Sequence, residues 1–245
     1  MLQMQDRIND PSEISESDIA ARISSGKRVI LQFSCPSYTS KILQKIDVFC
    51  RRYGDSLEIR FYGHYSGDFD CSVVRQIPSV TSLSVDCLTS ASNVQALYEL
   101  PHLRSLSLGI YELNEPRFLH SRNLQSLHSL TLGESKGNAL DLSPLATFAN
   151  LRKLVLVGHT KSIESLGALK QLTSLTLSRI KNTVSLGFVS YLDDLRELTL
   201  ILGGRSGISE ITHPALRKLE IIRVHGFEQF TTEAFPALEE LKIED

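Results

Sequence analysis

A six-residue phrase, LxxLxL with Leu, Ile or Val in its apolar slots, occurs eight times in this chain. It reads VTSLSV at Val80, LRSLSL at Leu103, LHSLTL at Leu127 and LRKLVL at Leu151. It continues as LTSLTL at Leu172, LRELTL at Leu195, LRKLEI at Leu216 and LEELKI at Leu238. Successive starts lie 23, 24, 24, 21, 23, 21 and 22 residues apart. A period in this range, kept over so many copies, marks a stacked repeat and not a conventional globule. Inside each copy the fourth and sixth residues are apolar and alternate with polar ones, the period of a strand with one buried face. About sixteen residues then return the chain, so that the next strand lies parallel to the last. A single unit cannot bury its leucines; stacking the units makes one continuous core.

The return arms carry a second inward column. Three residues before each repeat start stand Ile77, Leu100, Leu124, Phe148, Leu169, Leu192, His213 and Phe235, all apolar except His213. Pro78, Pro101, Pro214 and Pro236 follow four of them and aim the chain into the strand. In PLATFANL and SLGALKQL apolar residues recur every three, which predicts short helical or 3₁₀ turns. His213 reads as a polar substitution in an arm.

Together, DLSPLATFANLRKLVL and SIESLGALKQLTSLTL resemble the leucine-rich repeat superfamily, most closely its short-repeat, internalin-like class. The resemblance covers residues 80–245 and extends over 51–79. It implies an α/β fold: a right-handed solenoid, or horseshoe, with a parallel concave sheet and short helical or irregular convex arms. It also implies a recognition role without catalysis. One departure is plain. The family usually places Asn or Cys three residues after the last strand leucine, where it bonds neighbouring backbones. Here that position holds Leu88, Tyr111, Ser135, His159, Ile180, Gly203 and Val224.

Upstream of the repeats the pattern changes. Residues 1–12 read as a flexible N-terminus and 13–55 as a helix–strand–helix cap shielding the first leucine layer; 56–245 is the solenoid, about nine repeats. Ser15 or Ser17 caps a helix ended by Gly26, RVILQF (28–33) is a strand, and Ile42, Ile46, Phe49 and Tyr53 mark an amphipathic helix closed by Gly54. SLEIRFYG (56–63) is a further strand.

Composition narrows the function. The formal net charge is −2 and no long basic run occurs, so generic nucleic-acid binding is not expected. No apolar run is long enough for a membrane span and no signal peptide is legible, which places the protein in the cytoplasm. Cys35, Cys50, Cys71 and Cys87 form no CxxC pair and read as buried thiols, with a zinc site or disulfides as the alternative. The histidines form no HExxH pair, and no P-loop or GxSxG is present. LGGRSG (202–207) reads as a flexible turn, and His128 lies near Glu134 without a nucleophile set. No enzyme, metal or cofactor is expected.

What remains is the sheet face between the leucines. Its N-terminal half is paved with Ser and Thr, small hydroxyls that admit another surface and are equally at home on an exposed strand. Further along, Val155, Val157, Ile201, Leu202 and Ile222 face solvent beside Arg152, Arg179, Arg196, Arg217 and Arg223. An apolar patch beside arginines has the make-up of a protein-binding hot spot. The expected function is binding of a partner protein on the concave face by a protein that is monomeric when unbound. An inhibitor or immunity protein is one concrete version. The alternative is a structural subunit that pairs through its C-terminal edge strand, although Glu239, Glu240, Lys242, Glu244 and Asp245 would blunt that edge.

Overall fold

The computed structural model describes residues 5–34, 36–63, 68–137, 139–228 and 230–244. The chain divides into two compact units, Met1–Leu124 and Gln125–Asp245.

In the first unit the strands are β1 (Gln5–Asn9), β2 (Arg28–Phe33), β3 (Leu57–Tyr62), β5 (Ser82–Leu88) and β7 (Ser105–Ile110), parallel and in sequence order. Two short strands, β4 (Phe69–Asp70) and β6 (Ala91–Ser92), pair beside them. Three helices join the strands: α1 (Glu16–Ser24), α2 (Ser40–Tyr53) and α3 (Gln95–Tyr98). Ser15 caps α1 and Thr39 caps α2, each side chain accepting a first-turn amide. The buried face of α2 is Leu43, Ile46, Asp47, Phe49 and Cys50, so Ile42 and Tyr53 lie at its margin and not at its centre.

The second unit holds β8 (Ser129–Leu132), β9 (Lys153–Val157), β10 (Ser174–Lys181), β11 (Glu197–Gly204), β12 (Lys218–Ile222) and β13 (Glu240–Glu244), again parallel and in order. Its arms carry short 3₁₀ turns, such as Ser143–Thr147 and Ile163–Ala168 within PLATFANL and SLGALKQL, except the arm from β11 to β12, which is irregular.

From β5 to β13 every named core strand of the repeats begins at the third residue of its phrase. The fourth and sixth residues point inward and are at most 4% exposed from Leu83 to Ile221. All eight residues of the second column, His213 included, are buried. Backbone forks hold the register. The amides of residues two and three of a phrase both donate to the carbonyl of residue two in the phrase before, as Thr173 and Ser174 do to Arg152, and Arg217 and Lys218 to Arg196.

One expectation needs correction. Residues 5–9, set apart as a flexible terminus, form β1, paired with β2 from Gln5↔Arg28 to Asn9↔Gln32. Within 13–55 the order is helix, strand, helix, and β2 pairs directly with β3 from Val29↔Leu57 to Phe33↔Phe61.

Candidate functional site

The sheet face turned away from the arms differs between the units. In the first unit it is closed across β2, β3 and β5 by its own ion pairs. Arg28 pairs with Glu58 (2.9 Å) and donates to Ser82, while Ser84 donates to Glu58 (2.6 Å). Arg60 grips both oxygens of Asp86, lies 4.5 Å over the Tyr62 ring and donates to Gln32. Gln32 in turn donates to Asn9 (2.7 Å). Beneath these side chains Ser82, Ser84 and Ile30 are buried. Of the small hydroxyls expected to invite another surface, Ser82 and Ser84 are therefore already covered, whereas Ser105 and Ser107 of β7 are half-buried. Sequence reasoning missed this; the signal was Arg28 in RVILQF and Glu58 and Arg60 in SLEIRFYG, which fall on one face once the strands are aligned.

In the second unit the same face presents a carpet of mostly β-branched side chains. Thr131, Val155, Thr176 and Thr199 lie side by side in one row, and Val157, Ser178, Ile201 and Ile222 in the next. Val155, Val157, Ile201 and Ile222 are half-buried. Thr176 and Ser178 of β10 separate the valines from the isoleucines, so the patch is one floor with a hydroxyl stripe.

The five arginines occupy opposite ends of the strands. Arg152, Arg196 and Arg217 stand at strand starts. Arg152 donates to the carbonyls of Ala149 (3.2 Å) and Leu151 (3.5 Å), and Arg196 to those of Asp193 (3.4 Å) and Leu195 (3.1 Å), which satisfies arm carbonyls. Arg217 pairs with Glu239 at 3.2 Å. Arg179 and Arg223 stand at strand ends with Leu202 between them in the order of strands. All three have left-handed backbone, with φ of 59°, 52° and 55°, at the eighth residue of their phrases. Gly158 fills this position after β9, and Arg179 reaches past it to pair with Glu134. Four phrases, that of Cys87 included, thus keep a non-glycine residue where glycine is the unstrained choice. The turn exposes Leu202 (38%) and leaves Arg179 and Arg223 exposed.

Below that rim lies the family's ladder position. His159 is buried; its Nδ1 accepts the Leu140 amide (3.1 Å) and its Nε2–H donates to the Gly133 carbonyl (2.8 Å). It links neighbouring backbones as the family's asparagine would. Burial holds its imidazole below the ordinary histidine value, against the opposing pulls of the Gly133 carbonyl and the Glu134 carboxylate. His213 is likewise structural, its Nε2 lying 2.8 Å from the Leu192 carbonyl. His128 bonds to the Ser126 carbonyl (3.1 Å), and Glu134 is taken up by Arg179.

LGGRSG also needs correction. Leu202, Gly203 and Gly204 belong to β11, with Ile180↔Gly203 and Lys181↔Gly204 in register. Arg205 is buried, pairs with Glu210 (2.6 Å) and donates to the Val184 carbonyl. Burial raises the Glu210 carboxyl, but the Arg205 guanidinium and the backbone amides of Glu210 and Leu186 together hold the group below the usual carboxylate value. The segment is a strand end bolted to the neighbouring arm.

Of the cysteines, Cys50 and Cys71 are buried free thiols, pushed up to about 12 by burial, and Cys87 is exposed and free. Cys35, His64 and Asp245 lie outside the described residues. Among the described residues no helix is long and apolar enough to cross a membrane.

No known protein family and no curated protein matches the sequence. Solved structures do. Internalin C2 from Listeria monocytogenes is 18% identical, with a TM-score of 0.55 over 84% of this chain and 84% of that one. Internalin InlF from the same organism is 16% identical, with a TM-score of 0.50 over 89% of this chain and 74% of that one. TLR13, solved as a complex with ssRNA13, is 19% identical, with a TM-score of 0.55 over 88% of this chain and 33% of that one. The parallel ladder, the leucine columns and these likenesses define a leucine-rich repeat fold. With its short arms and 21–24-residue period, the chain is similar in fold to the internalins.

Proposed function

We propose that the protein is a non-catalytic recognition module that binds a partner protein on the open sheet face of its second unit. The observation that carries this is the contrast between the two faces. The first is closed by ion pairs across β2, β3 and β5, whereas the second leaves the aliphatic Val155, Val157, Ile201 and Ile222 half-exposed in register, with Leu202 on the rim. A preformed sheet loses little entropy on docking, and an aliphatic floor with guanidiniums at both strand ends suits a partner bearing aliphatic and carboxylate groups. Arg179 and Arg223 are the arginines placed to meet it. Arg152, Arg196 and Arg217 act first in the structure of the strand starts. The ssRNA in the TLR13 complex raises nucleic acid as a rival ligand. A net charge of −2 and arginines already engaged with carbonyls or carboxylates favour a protein instead. Cytoplasmic residence belongs to the same reading and is supported by the three free thiols. In its narrowest form the protein is an inhibitor or immunity protein that covers a partner enzyme's active site.

The test is parallel affinity capture from the native cell's lysate with wild type and Ile222→Asp. A protein retained by wild type and lost with Ile222→Asp, while the variant's urea midpoint is unchanged, supports the reading. Equal retention by both removes the interface from this face. Unfolding of the variant would mean that Ile222 faces the core.

A further inference from the structure

Resting on the recognition role proposed above, we infer that the rim Arg179–Leu202–Arg223 takes one face of an amphipathic helix of the partner, laid across the strand ends, with two carboxylates two turns apart and an aliphatic side chain between them. The three residues hold the eighth place of consecutive phrases, and all have left-handed backbone, with φ of 59°, 55° and 52°. Gly158 takes the same place one phrase earlier, so the turn itself asks only for glycine. Leucine and arginine are strained there and persist only where the surroundings hold them. Leu202 gains no burial in return: it is 38% exposed, whereas Leu198 and Leu200 of the same strand are at most 4% exposed. A strained leucine outside the core, between two exposed arginines, has the make-up of an anchor for another surface.

The spacing selects the occupant. Ser178, Ile201 and Ile222 lie in register on β10, β11 and β12, and each rim residue follows one of them. Neighbouring strands are about 4.8 Å apart, so Arg179 and Arg223 emerge roughly 9.6 Å apart with Leu202 midway. Residues i and i+7 of an α-helix lie on one face roughly 10.5 Å apart, with i+3 and i+4 between them. A β-strand covers that span in about three residues, which turns the second side chain to the opposite face. A polyproline helix returns to the same face after three residues, about 9.3 Å on, but has no side chain midway. Of the three, the α-helix alone sets carboxylates on both arginines and an aliphatic group on Leu202 together. Its flank then covers the half-buried Ile201 and Ile222. The charges agree. Arg179 already takes a carboxylate, that of the exposed Glu134, which a partner's carboxylate would displace. Among the described residues Arg223 forms no ion pair, and Glu244, in register with Ile222, is taken by Lys242 (2.6 Å).

Fluorescence anisotropy with a stapled helical peptide and the 245-residue chain tests it. The matched peptide carries Glu at i and i+7, Leu at i+3 and i+4, and Ala and Gln elsewhere. The control has the same composition with the second Glu at i+5, which moves it about 140° around the helix. The matched peptide should bind about fivefold tighter, and Arg179→Gln and Arg223→Gln should each weaken it about fivefold. Both arginines are exposed, and equal urea midpoints would show that the variants remain folded. Glu134→Gln, which frees Arg179, should strengthen the matched peptide. Leu202→Gly separates anchoring from packing: it should weaken the peptide yet leave the urea midpoint equal or higher, because glycine relieves the turn. Equal affinity for the two peptides, no binding of either, or binding unchanged by the substitutions at the rim overturns the inference. A lowered midpoint in Leu202→Gly would make the leucine a packing residue and overturn its anchoring role. The capture experiment with Ile222→Asp assumes nothing about the partner's shape. A protein lost with that variant, beside peptides that bind equally, would therefore sink the helix and leave the recognition role standing.

Discussion

His159→Leu is the substitution that most directly probes how the stack is tied together. Leucine fills similar space but removes both the acceptor for the Leu140 amide and the donor to the Gly133 carbonyl. The Leu140 bond is buried, so its loss should cost about 2–3 kcal/mol; the Gly133 carbonyl is only part-buried and can turn to water, at about 1 kcal/mol. Leucine returns on the order of 1 kcal/mol through apolar burial. The net loss is about 2–3 kcal/mol, or a fall in Tm of about 5–10 °C for a chain of this size. His159→Asn should recover part of it, since its amide offers one acceptor and one donor. The proton adds a second readout. Burial lowers the folded pKa, so as pH falls below about 6.5 the unfolded chain binds a proton that the folded chain refuses. Stability from this site is therefore full above that pH and declines below it, until the folded group itself titrates. Urea titrations of wild type and His159→Asn at steps between about pH 5 and 7 should diverge, with wild type the more pH-dependent. Parallel pH profiles, or a His159→Leu variant as stable as wild type, would refute the bridging role.

Three further substitutions probe other parts of the stack. Leu175→Ala, between Leu154 and Leu198 in the ladder and fully buried, should lower unfolding free energy by about 2–5 kcal/mol in urea titrations. Gly203→Ala should cost about 1–3 kcal/mol or more, because φ is +112° and the new Cβ would lie 2.8 Å from the Ile180 carbonyl oxygen; thermal unfolding checks it. Arg205→Met should cost about 3 kcal/mol at neutral pH by stranding Glu210 and the Val184 carbonyl. That deficit should shrink in acid, as the depressed carboxyl of Glu210 protonates and its share of the stability is lost in wild type too.

The stack itself was legible because leucine spacing is local and periodic. The phrases located the inward residues, the column three residues upstream located the arms, and Ser15, Gly26 and Gly54 marked helix ends, whereas the Thr39 cap was missed. β1 was not legible. QDRIN carries one large apolar side chain, and its extended form comes from pairing with β2, a tertiary effect. Nor was the left-handed turn at Arg179, Leu202 and Arg223, since no propensity places arginine or leucine there. The bonds over the first unit's face join residues 26 apart for the Arg60–Asp86 ion pair and 54 apart for the Arg28–Ser82 hydrogen bond, and they emerge only after strands are aligned. The candidate patch was visible as residues, but its hydroxyl stripe and the two-ended placement of its arginines needed the register.

The backbone fork at the strand starts also bears on how such a chain can change over generations. In six phrases two adjacent amides meet one carbonyl of the phrase before, so the alignment of those strands is fixed by backbone and not by the arm. Residues gained or lost in an arm alter only the length of a closed loop, and doubling such a loop costs about 0.6 kcal/mol. Spacings from 21 to 24 residues coexist here without one leucine leaving its column. Arms are thus free to drift, lengthen or acquire new surfaces, while the sheet that would meet a partner keeps its pattern to the residue.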